Sequence, residues 1–455
     1  MVGAVDKHLA LIGFMGAGKT TIGRELARLT QRPFVDTDEE IAKRFGPIPE
    51  LFERGEPEFR QIEEQVVAEA LAGPTAVIAL GGGAVLSEAT RRRLRRTAYV
   101  GWVTVDVETA WSRVRDSGRP LARDRESFGH LFDSRADFYD LVAQGTAQDA
   151  ETMLLEALHV IFSSEIACDA AVIADEQVAS LHELPVAGAV TLTTHLVPAG
   201  EQAKTLAVVA QLWRDLEIGR DGWIVGFGGG STTDVAGFTA ATYLRGVHWV
   251  AVPTTLVGMV DAAIGGKTGV NTEQGKNLAG AFHFPWEIRI DERFLATLPA
   301  EERRAGMAEV VKTGLLAGQE VWSLPDEQMI RACAAFKSAV VLSDPYEREG
   351  RRAILNLGHT FAHALEAGSG YELRHGDAVA LGLLAALRLS GRSTDVVEEV
   401  LAPQPVRVDR DRAWDALLRD KKGALNLVLL GDEGGFVTQV PEADVRRALD
   451  ELIAD

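Results

Sequence analysis

A glycine-rich turn near the start of the chain constrains the fold more than any other feature. Residues 13–20 read Gly-Phe-Met-Gly-Ala-Gly-Lys-Thr, with an apolar segment before them and a helix-like segment after them. This is the P-loop spacing in the strand, turn and helix context that it requires. Glycines let backbone N–H groups approach phosphate oxygens, Lys19 reaches the outer phosphates and Thr20 can hold Mg²⁺. A tight turn without a phosphate ligand is the alternative, but it leaves the Lys-Thr pair unexplained, so we predict a nucleotide-phosphate site.

Length and composition predict more than one domain and small-molecule chemistry. The chain has 455 residues, about three times the usual domain length, so at least two cores are expected. Its formal net charge of −19 argues against binding to nucleic acid or to an anionic membrane. The sequence has two cysteines, Cys168 and Cys333, and neither a basic-then-apolar leader nor an apolar run of membrane-spanning length. We therefore expect a cytoplasmic protein that acts on small anionic substrates.

The order of strand-like and helix-like segments predicts an α/β protein of two domains. A P-loop domain with a parallel sheet is expected over residues 1–165, and a second domain over residues 166–455. The second domain is expected to open with an α/β nucleotide-binding part (166–300) and to end with a mostly helical metal-binding part (301–455), because segments rich in Ala and Leu follow residue 301. Segments typical of strands are 9–13, 34–36, 76–80, 98–105, 171–174, 190–193 and 223–227, and residues 153–162 are typical of an apolar helix.

Charged residues and glycines in the first domain suit an anionic substrate. Asp36 and Asp38 follow a strand-like segment, where side chains face the crevice beyond the strand ends. One carboxylate could assist Mg²⁺ and the other could accept a substrate hydroxyl, although helix caps use the same residues. Further candidates are Arg60, the triple glycine 81–83, Arg119 and Arg135, each of which could instead be surface charge or a turn.

Taken together and in order, these motifs resemble shikimate kinase over roughly residues 7–162. The resemblance implies an ATP-dependent phosphorylation of shikimate to shikimate 3-phosphate, with Lys19, Asp38 and Arg119 in catalytic roles. It places Mg²⁺ against Thr20 and Asp36, and makes Arg119 part of a lid over the nucleotide. The implied shikimate ligands are Asp38, Arg60, Gly82 and Arg135, and the implied ATP ligands are Gly16, Ala17, Gly18, Lys19, Thr20, Thr21 and Arg119.

The second half carries its own glycine-rich turn and an unusual set of cations. Gly228, Gly229 and Gly230 lie between a strand-like and a helix-like segment and could admit a pyrophosphate, although tight turns use the same residues. In an acidic chain, several cations lie in apolar or Gly-rich surroundings and predict a multiply anionic substrate. They are Arg245, Lys267, Lys276, Lys312, Lys337 and Arg352.

Four residues of the helical part have side chains that bind metals: Glu309, His359, His363 and His375. Three such ligands with an open coordination position would form a catalytic zinc site. His359 and His363 share a helix face, so both could bind metal, or one could move a proton. The spacing alone does not choose the three ligands.

The run 228–281, with 308–312 and 355–361, closely resembles 3-dehydroquinate synthase, and the coverage is about residues 170–440. The resemblance implies that 3-deoxy-D-arabino-heptulosonate 7-phosphate is converted to 3-dehydroquinate and phosphate. It assigns Glu309, His359 and His375 to Zn²⁺ or Co²⁺, leaves His363 beside the substrate, and gives Lys267, Lys312 and His363 catalytic roles. It also implies a homodimer, in which Arg245 could reach across the interface. The family's opening hairpin is missing ahead of the first strand-like segment.

Two sets of ligands follow from the same resemblance. NAD is implied to lie against Glu201, Lys204, Gly230, Asp234, Thr254, Thr255, Lys267, Lys276 and Thr297. The substrate is implied to meet Arg245, Asn277, Lys312, Lys337, Arg352, Asn356 and His363, with Lys421 or Lys422 as further candidates. Two alternatives stay open: the second half could be an NAD- and metal-dependent polyol dehydrogenase, or one half could be a nucleotide-sensing module without catalysis.

Overall fold

The computed structural model describes residues 4–117, 120–122, 124–166, 170–184, 192–273, 275–421 and 425–454. The chain divides into two compact units, Met1–His159 and Val160–Asp455. The sequence places the boundary near residue 165, because residues 153–162 resemble one apolar helix. In the structure that helix ends at Ala157, and Val160–Ile161 form a strand that pairs with Ile288 and Arg289 in the second unit.

The first unit is built around a five-stranded parallel sheet with the order β2-β3-β1-β4-β5. The strands are β1 His8–Ile12, β2 Phe34–Asp36, β3 Val77–Ala79, β4 Ala98–Trp102 and β5 Gly145–Thr146. The helices are α1 Lys19–Thr30, α2 Thr37–Phe45, α3 Ile48–Arg54, α4 Glu56–Ala70, α5 Glu88–Thr97, α6 Val107–Val114, α7 Arg125–Asp140 and α8 Ala150–Ala157. Every residue of β1 is buried, as expected for a central strand of a parallel sheet, which is covered on both faces.

The second unit opens with a six-stranded parallel sheet of order β6-β13-β10-β9-β7-β8 and contains two antiparallel hairpins, β11-β12 and β14-β15. Its strands are β6 Val160–Ile161, β7 Ala170–Asp175, β8 Leu192–Val197, β9 Trp223–Gly228, β10 His248–Pro253, β11 Lys267–Thr272, β12 Gly275–Phe282, β13 Glu287–Arg289, β14 Asn426–Gly431 and β15 Gly434–Gln439. Residues 190 and 191 of one predicted strand lie outside the described residues.

The helices of the second unit lie mostly in its second half. They are α9 Glu176–Leu181, α10 Leu206–Asp215, α11 Gly230–Thr242, α12 Ala300–Ala317, α13 Asp326–Ser343, α14 His359–Gly368, α15 His375–Leu389, α16 Asp395–Leu401, α17 Arg410–Lys421 and α18 Glu442–Asp450. The predicted α/β class, with a nucleotide-binding part before a mostly helical part, is confirmed. No helix in the described part of the chain is long and apolar enough to cross a membrane.

A glycine contact sets the spacing of α14 and α15. A Cβ atom on Gly382 of α15 would lie 2.1 Å from the carbonyl oxygen of Gly358, the residue that caps α14. No larger residue fits there, because the neighbouring atom is backbone and cannot move aside. The first residues of the two helices are His359 and His375, so this contact brings together the helices that carry two predicted metal ligands.

We predict that Gly382→Ala destabilises the second unit by about 1–3 kcal/mol, because the added methyl group forces the two helices apart. Denaturant titration of the full chain measures the change. Gly219→Ala is the matched control, since a Cβ there meets nothing within 4 Å, and it should leave the transition unchanged. A Gly382→Ala protein as stable as the control would contradict the packing argument.

Candidate active sites

The turn between β1 and α1 has the backbone that a P-loop needs. Gly13, Gly16 and Gly18 all have positive φ angles, and a Cβ on Gly13 would lie 2.4 Å from the carbonyl oxygen of Val103. Lys19 Nζ donates to the carbonyl oxygens of Gly13 and Phe14 at 2.9 and 3.0 Å. The lysine therefore lies along the loop, at the positive end of α1, where an anionic phosphate is favoured.

Asp36 lies beside the P-loop at the end of β2. Its Oδ2 accepts a 2.6 Å hydrogen bond from Thr20 Oγ1, which brings the two predicted Mg²⁺ ligands together. Its Oδ1 accepts hydrogen bonds from the backbone N–H groups of Asp38 and Glu39. Asp36 is thus also the cap of α2, so the alternative that the sequence left open is correct without excluding the metal role.

The triple glycine after β3 lets three charged side chains approach one another. A Cβ on Gly81 would lie 2.5 Å from Asp38 Oδ1, and a Cβ on Gly83 would lie 2.1 Å from Arg60 Nη1. Gly82 lies beside Arg135, at 3.6 Å by the same measure. The predicted substrate ligands of the first unit therefore surround one glycine turn. Arg119 lies outside the described residues, and Thr21 is exposed on α1.

Two charged residues near the triple glycine, Arg135 and Glu63, are buried, and burial shifts their pKa values. Arg135 is buried, which lowers its pKa, and its Nε has no hydrogen-bond partner among the described residues. Glu63, which the sequence reasoning missed, is also buried and pairs with Arg60 at 2.7 Å. Burial raises the pKa of Glu63, and Arg60 opposes that shift. The signal for Glu63 was its position one helical turn after Arg60.

Three helices of the second unit bring together Glu309, His359 and His375. One ligand atom from each lies within 4.8 Å of the other two. Glu309 Oε1 is 3.5 Å from His359 Nε2 and 3.3 Å from His375 Nε2. The carboxylate is completely buried, and its Oε2 forms an ion pair with Lys312 Nζ at 2.5 Å.

The donor set and charges of this cluster fit a divalent cation. One carboxylate and two imidazoles are the ligands of many catalytic zinc sites. Burial lowers the pKa of His375, but its contacts with Glu309 and Glu366 outweigh burial and raise that pKa to about 10. Without a metal the cluster therefore holds a proton, and it favours positive charge at this point. His363, the fourth candidate, lies on α14 with His359. It is exposed, and the centroid of its ring is 5.7 Å from that of the His359 ring.

Two acidic residues that the sequence reasoning did not single out connect this cluster to the predicted cations. Asp261 lies 3.9 Å from Lys312 Nζ and pairs with Lys337, whose Nζ also donates to the Asp261 carbonyl oxygen at 2.6 Å. Burial lowers the pKa of Lys337. Glu366 lies 3.2 Å from Lys276 Nζ and 3.6 Å from His375 Nδ1. Glu366 lies on α14 two turns after His359, and this spacing was the sequence feature that could have identified it.

Several of the predicted nucleotide ligands lie around the start of α11. Gly230 begins this helix, and Asp234 in its second turn accepts a 2.6 Å hydrogen bond from Lys204, which also contacts Asn277. Thr255 lies beside Gly229, at 3.0 Å from a Cβ placed there, and Thr254 is buried at the end of β10. Glu201 accepts a 2.6 Å hydrogen bond from Asn271, and Thr297 contacts His182 at 2.7 Å.

The remaining predicted substrate ligands of the second unit differ in their surroundings: some are paired with a carboxylate and others are exposed. Lys267 and Arg352 both face Glu347, and Arg352 is buried and donates to the carbonyl oxygen of Gly265 at 3.0 Å. Arg245 and Asn356 are exposed. Lys422 lies outside the described residues, as does the side chain of Lys421. The roles of all these residues stay predictions.

Family comparisons agree with the geometry. The family model for shikimate kinase matches residues 15–164, and those for the N-terminal and C-terminal parts of 3-dehydroquinate synthase match residues 194–305 and 306–422. A 3-dehydroquinate synthase of Mycolicibacterium vanbaalenii is 44% identical over 52% of this chain and 75% of that protein.

Solved structures share the fold of the second unit. A 2-deoxy-scyllo-inosose synthase, solved with carbaglucose-6-phosphate, NAD⁺ and Co²⁺, is 24% identical with a TM-score of 0.56, covering 64% of this chain and 96% of that chain. A 2-epi-5-epi-valiolone synthase of Streptomyces hygroscopicus, solved with NAD⁺ and Zn²⁺, is 26% identical with a TM-score of 0.54, covering 63% of this chain and 91% of that chain.

We predict that the purified chain binds one zinc ion and that His375→Ala abolishes this binding, because two ligands hold zinc far more weakly than three. The His375 side chain is 40% exposed, and Lys312 still faces the Glu309 carboxylate in the variant, so the chain should fold. Zinc content after dialysis, measured by atomic spectroscopy, tests the site. His130→Ala, an exposed histidine of the first unit, is the control and should keep the metal. Retention of zinc by His375→Ala would contradict the assignment.

Proposed function

Since the chain belongs to the 3-dehydroquinate synthase family and carries a shikimate kinase domain ahead of it, we propose residue-level roles for the two activities of this bifunctional enzyme of aromatic biosynthesis. The first unit is a phosphotransferase and the second is a phosphate lyase. The observation that carries the second assignment is the convergence of Glu309, His359 and His375 beside the buried Lys312.

In the first unit, catalysis rests on positioning and on neutralising charge. Phosphoryl transfer needs little covalent help from a protein, because its transition state mainly spreads negative charge over oxygens. We propose that Thr20 and Asp36 hold Mg²⁺ with ATP, and that Lys19 leaves the loop carbonyls to meet the outer phosphates. Asp38 is placed to accept the proton of the shikimate hydroxyl. Arg60 and Arg135 bind the carboxylate, since a buried guanidinium with an unpartnered Nε favours an anion.

In the second unit, the residues hold an anionic sugar acid next to two cofactors. Bound NAD would supply a reversible hydride acceptor, and a Zn²⁺ or Co²⁺ ion held by Glu309, His359 and His375 would supply Lewis acidity at a substrate alcohol. Burial raises the pKa of the Glu309 carboxylate, but Lys312, His359 and His375 together outweigh burial and lower that pKa well below its usual range. His363 is exposed beside this cluster and can hold a proton on its imidazole ring.

The cations around the cluster fit the two anionic groups of the substrate. Lys337 and Lys312 share Asp261, and Lys267 and Arg352 share Glu347, so each pair is oriented before a ligand arrives. Such preorganisation reduces the cost of ordering side chains on binding. The polyol dehydrogenase alternative has no observation that favours it, and the presence of all three metal-ligand residues argues against a module without catalysis.

We also propose that the protein is a cytoplasmic homodimer through its second unit, with NAD against the residues around α11. Leu244 and Arg245 support the dimer. Both are exposed, and both have left-handed backbones, a conformation that is rare outside glycine and clusters at functional positions. Analytical ultracentrifugation of the full chain tests the dimer, and a monomer at micromolar concentration would refute it.

The experiment that tests the synthase assignment follows two products at once. With the sugar-acid phosphate and catalytic NAD, inorganic phosphate should appear without accumulation of NADH, and a chelator should stop it. Stoichiometric NADH would instead indicate a dehydrogenase. Absence of any phosphate release from the metal-loaded protein would refute the proposal.

We predict that the two activities separate by mutation. His359→Ala should abolish phosphate release and leave ADP formation with shikimate unchanged, because the affected site lies within the second unit. Asp38→Asn should lower kinase kcat by about 100-fold or more, the usual contribution of a general base, and spare the synthase. Parallel assays of each variant measure both activities. Loss of both activities in either variant would contradict independent sites.

We predict that Gly83→Ala raises the KM for shikimate about 10-fold or more, the effect of losing a charge-assisted hydrogen bond. Gly83 has φ −103°, which alanine adopts without strain, so the added methyl group acts by displacing the Arg60 guanidinium. Steady-state kinetics at saturating ATP measure the change. Gly73→Ala, where the nearest atom to a Cβ is at 3.4 Å, should behave as wild type. An unchanged KM in Gly83→Ala would remove Arg60 from the shikimate site.

A further inference from the structure

Tyr371 has a backbone conformation that is costly for a residue of its size. It lies in the turn between α14 and α15 with φ 68°, in the left-handed region where a bulky side chain is rare. Its backbone N–H donates a 2.7 Å hydrogen bond to the carbonyl oxygen of Glu366, which holds the turn in this shape. The side chain is not buried, since 48% of the residue is exposed. Packing in a core therefore does not explain the strain.

In this turn, Tyr371 contacts a residue from another part of the second unit. The Tyr371 ring lies over the ammonium of Lys276, with 5.1 Å between Nζ and the ring centroid. Lys276 lies on β12, in the hairpin of the nucleotide-binding part, whereas Tyr371 follows a helix that begins with a metal-ligand residue. An ammonium over an aromatic face is stabilised by the ring's charge distribution.

Lys276 also contacts the buried Glu366, which in turn contacts the metal-ligand candidate His375. The same Nζ is 3.2 Å from Glu366 Oε1, and the Glu366 carboxylate is 96% buried. That oxygen is in turn 3.6 Å from His375 Nδ1, the ring nitrogen that does not face Glu309. A carboxylate on the far nitrogen of a metal-binding histidine fixes the orientation of the ring.

We propose that Tyr371 is a positioning residue of the synthase reaction: its ring holds Lys276 against Glu366 and so keeps His375 in the orientation that binds metal. The inference rests on the proposed synthase function. The left-handed turn at Tyr371 is the backbone conformation in which its ring lies over the Lys276 ammonium.

Tyr371→Gly separates positioning from folding. Glycine adopts a positive φ without strain, so this variant should be at least as stable as wild type in thermal denaturation. It should nevertheless bind zinc about two- to fivefold more weakly and lose synthase kcat by a similar factor, the size of an exposed cation–π contact. Tyr371→Phe keeps the ring and should behave as wild type in all three measurements. Ala402→Gly relieves a left-handed residue elsewhere in the unit and is the control.

A double-mutant cycle tests the route of the effect. Lys276→Met should weaken zinc binding, and adding Tyr371→Gly should weaken it no further, because the ring acts through that ammonium. Zinc affinity is measured by competition with a chromophoric chelator and needs no substrate, so it stays informative if the wild-type protein proves not to release phosphate. Wild-type zinc affinity in Tyr371→Gly, or additive losses in the double variant, would overturn the proposal.

Discussion

The second unit depends on one fully enclosed carboxylate, that of Glu309. An ionised group without water must be surrounded by positive charge, and removing one partner from such a group typically costs about 3–5 kcal/mol. Lys312 supplies that charge from the next turn of α12, while His359 and His375 approach from the first residues of α14 and α15. The helices of the second unit hold one ligand atom of each of Glu309, His359 and His375 within 4.8 Å of the others. The close contact between Gly382 and Gly358 therefore matters for the proposed metal site as well as for packing.

We propose that the two units bind anions by different physical means. The first unit uses backbone N–H groups at a helix start, where the glycines of the P-loop permit close approach and a single lysine adds charge. The second unit uses side-chain cations that are paired in advance with buried or half-buried carboxylates such as Asp261 and Glu347. A chain with a net charge of −19 can thus keep the proposed anion sites positive by local arrangement, without its overall charge deciding what it binds.

The sequence predicted what is encoded locally. The P-loop was recognisable because its strand, turn and helix are contiguous, and the α/β class followed from alternating segments. The choice of three metal ligands among four candidates needed family resemblance, since nothing local distinguishes His363 from its neighbours. Glu63, Asp261 and Glu366 were missed because a single acidic residue usually belongs to a solvated surface, and only tertiary packing places these three beside cations. The helix predicted to reach residue 162 ends at Ala157, because residues 160 and 161 pair with the sheet of the second unit and tertiary pairing overrides the local apolar pattern.

The central claim is that Glu309, His359 and His375 form one metal site. Anomalous diffraction at the zinc absorption edge, from crystals of the full chain grown with zinc, tests it most directly. The account predicts a strong peak in the second unit about 2.0–2.2 Å from one oxygen of Glu309 and one ring nitrogen of each histidine. A map in which no peak lies within bonding distance of all three residues would contradict it.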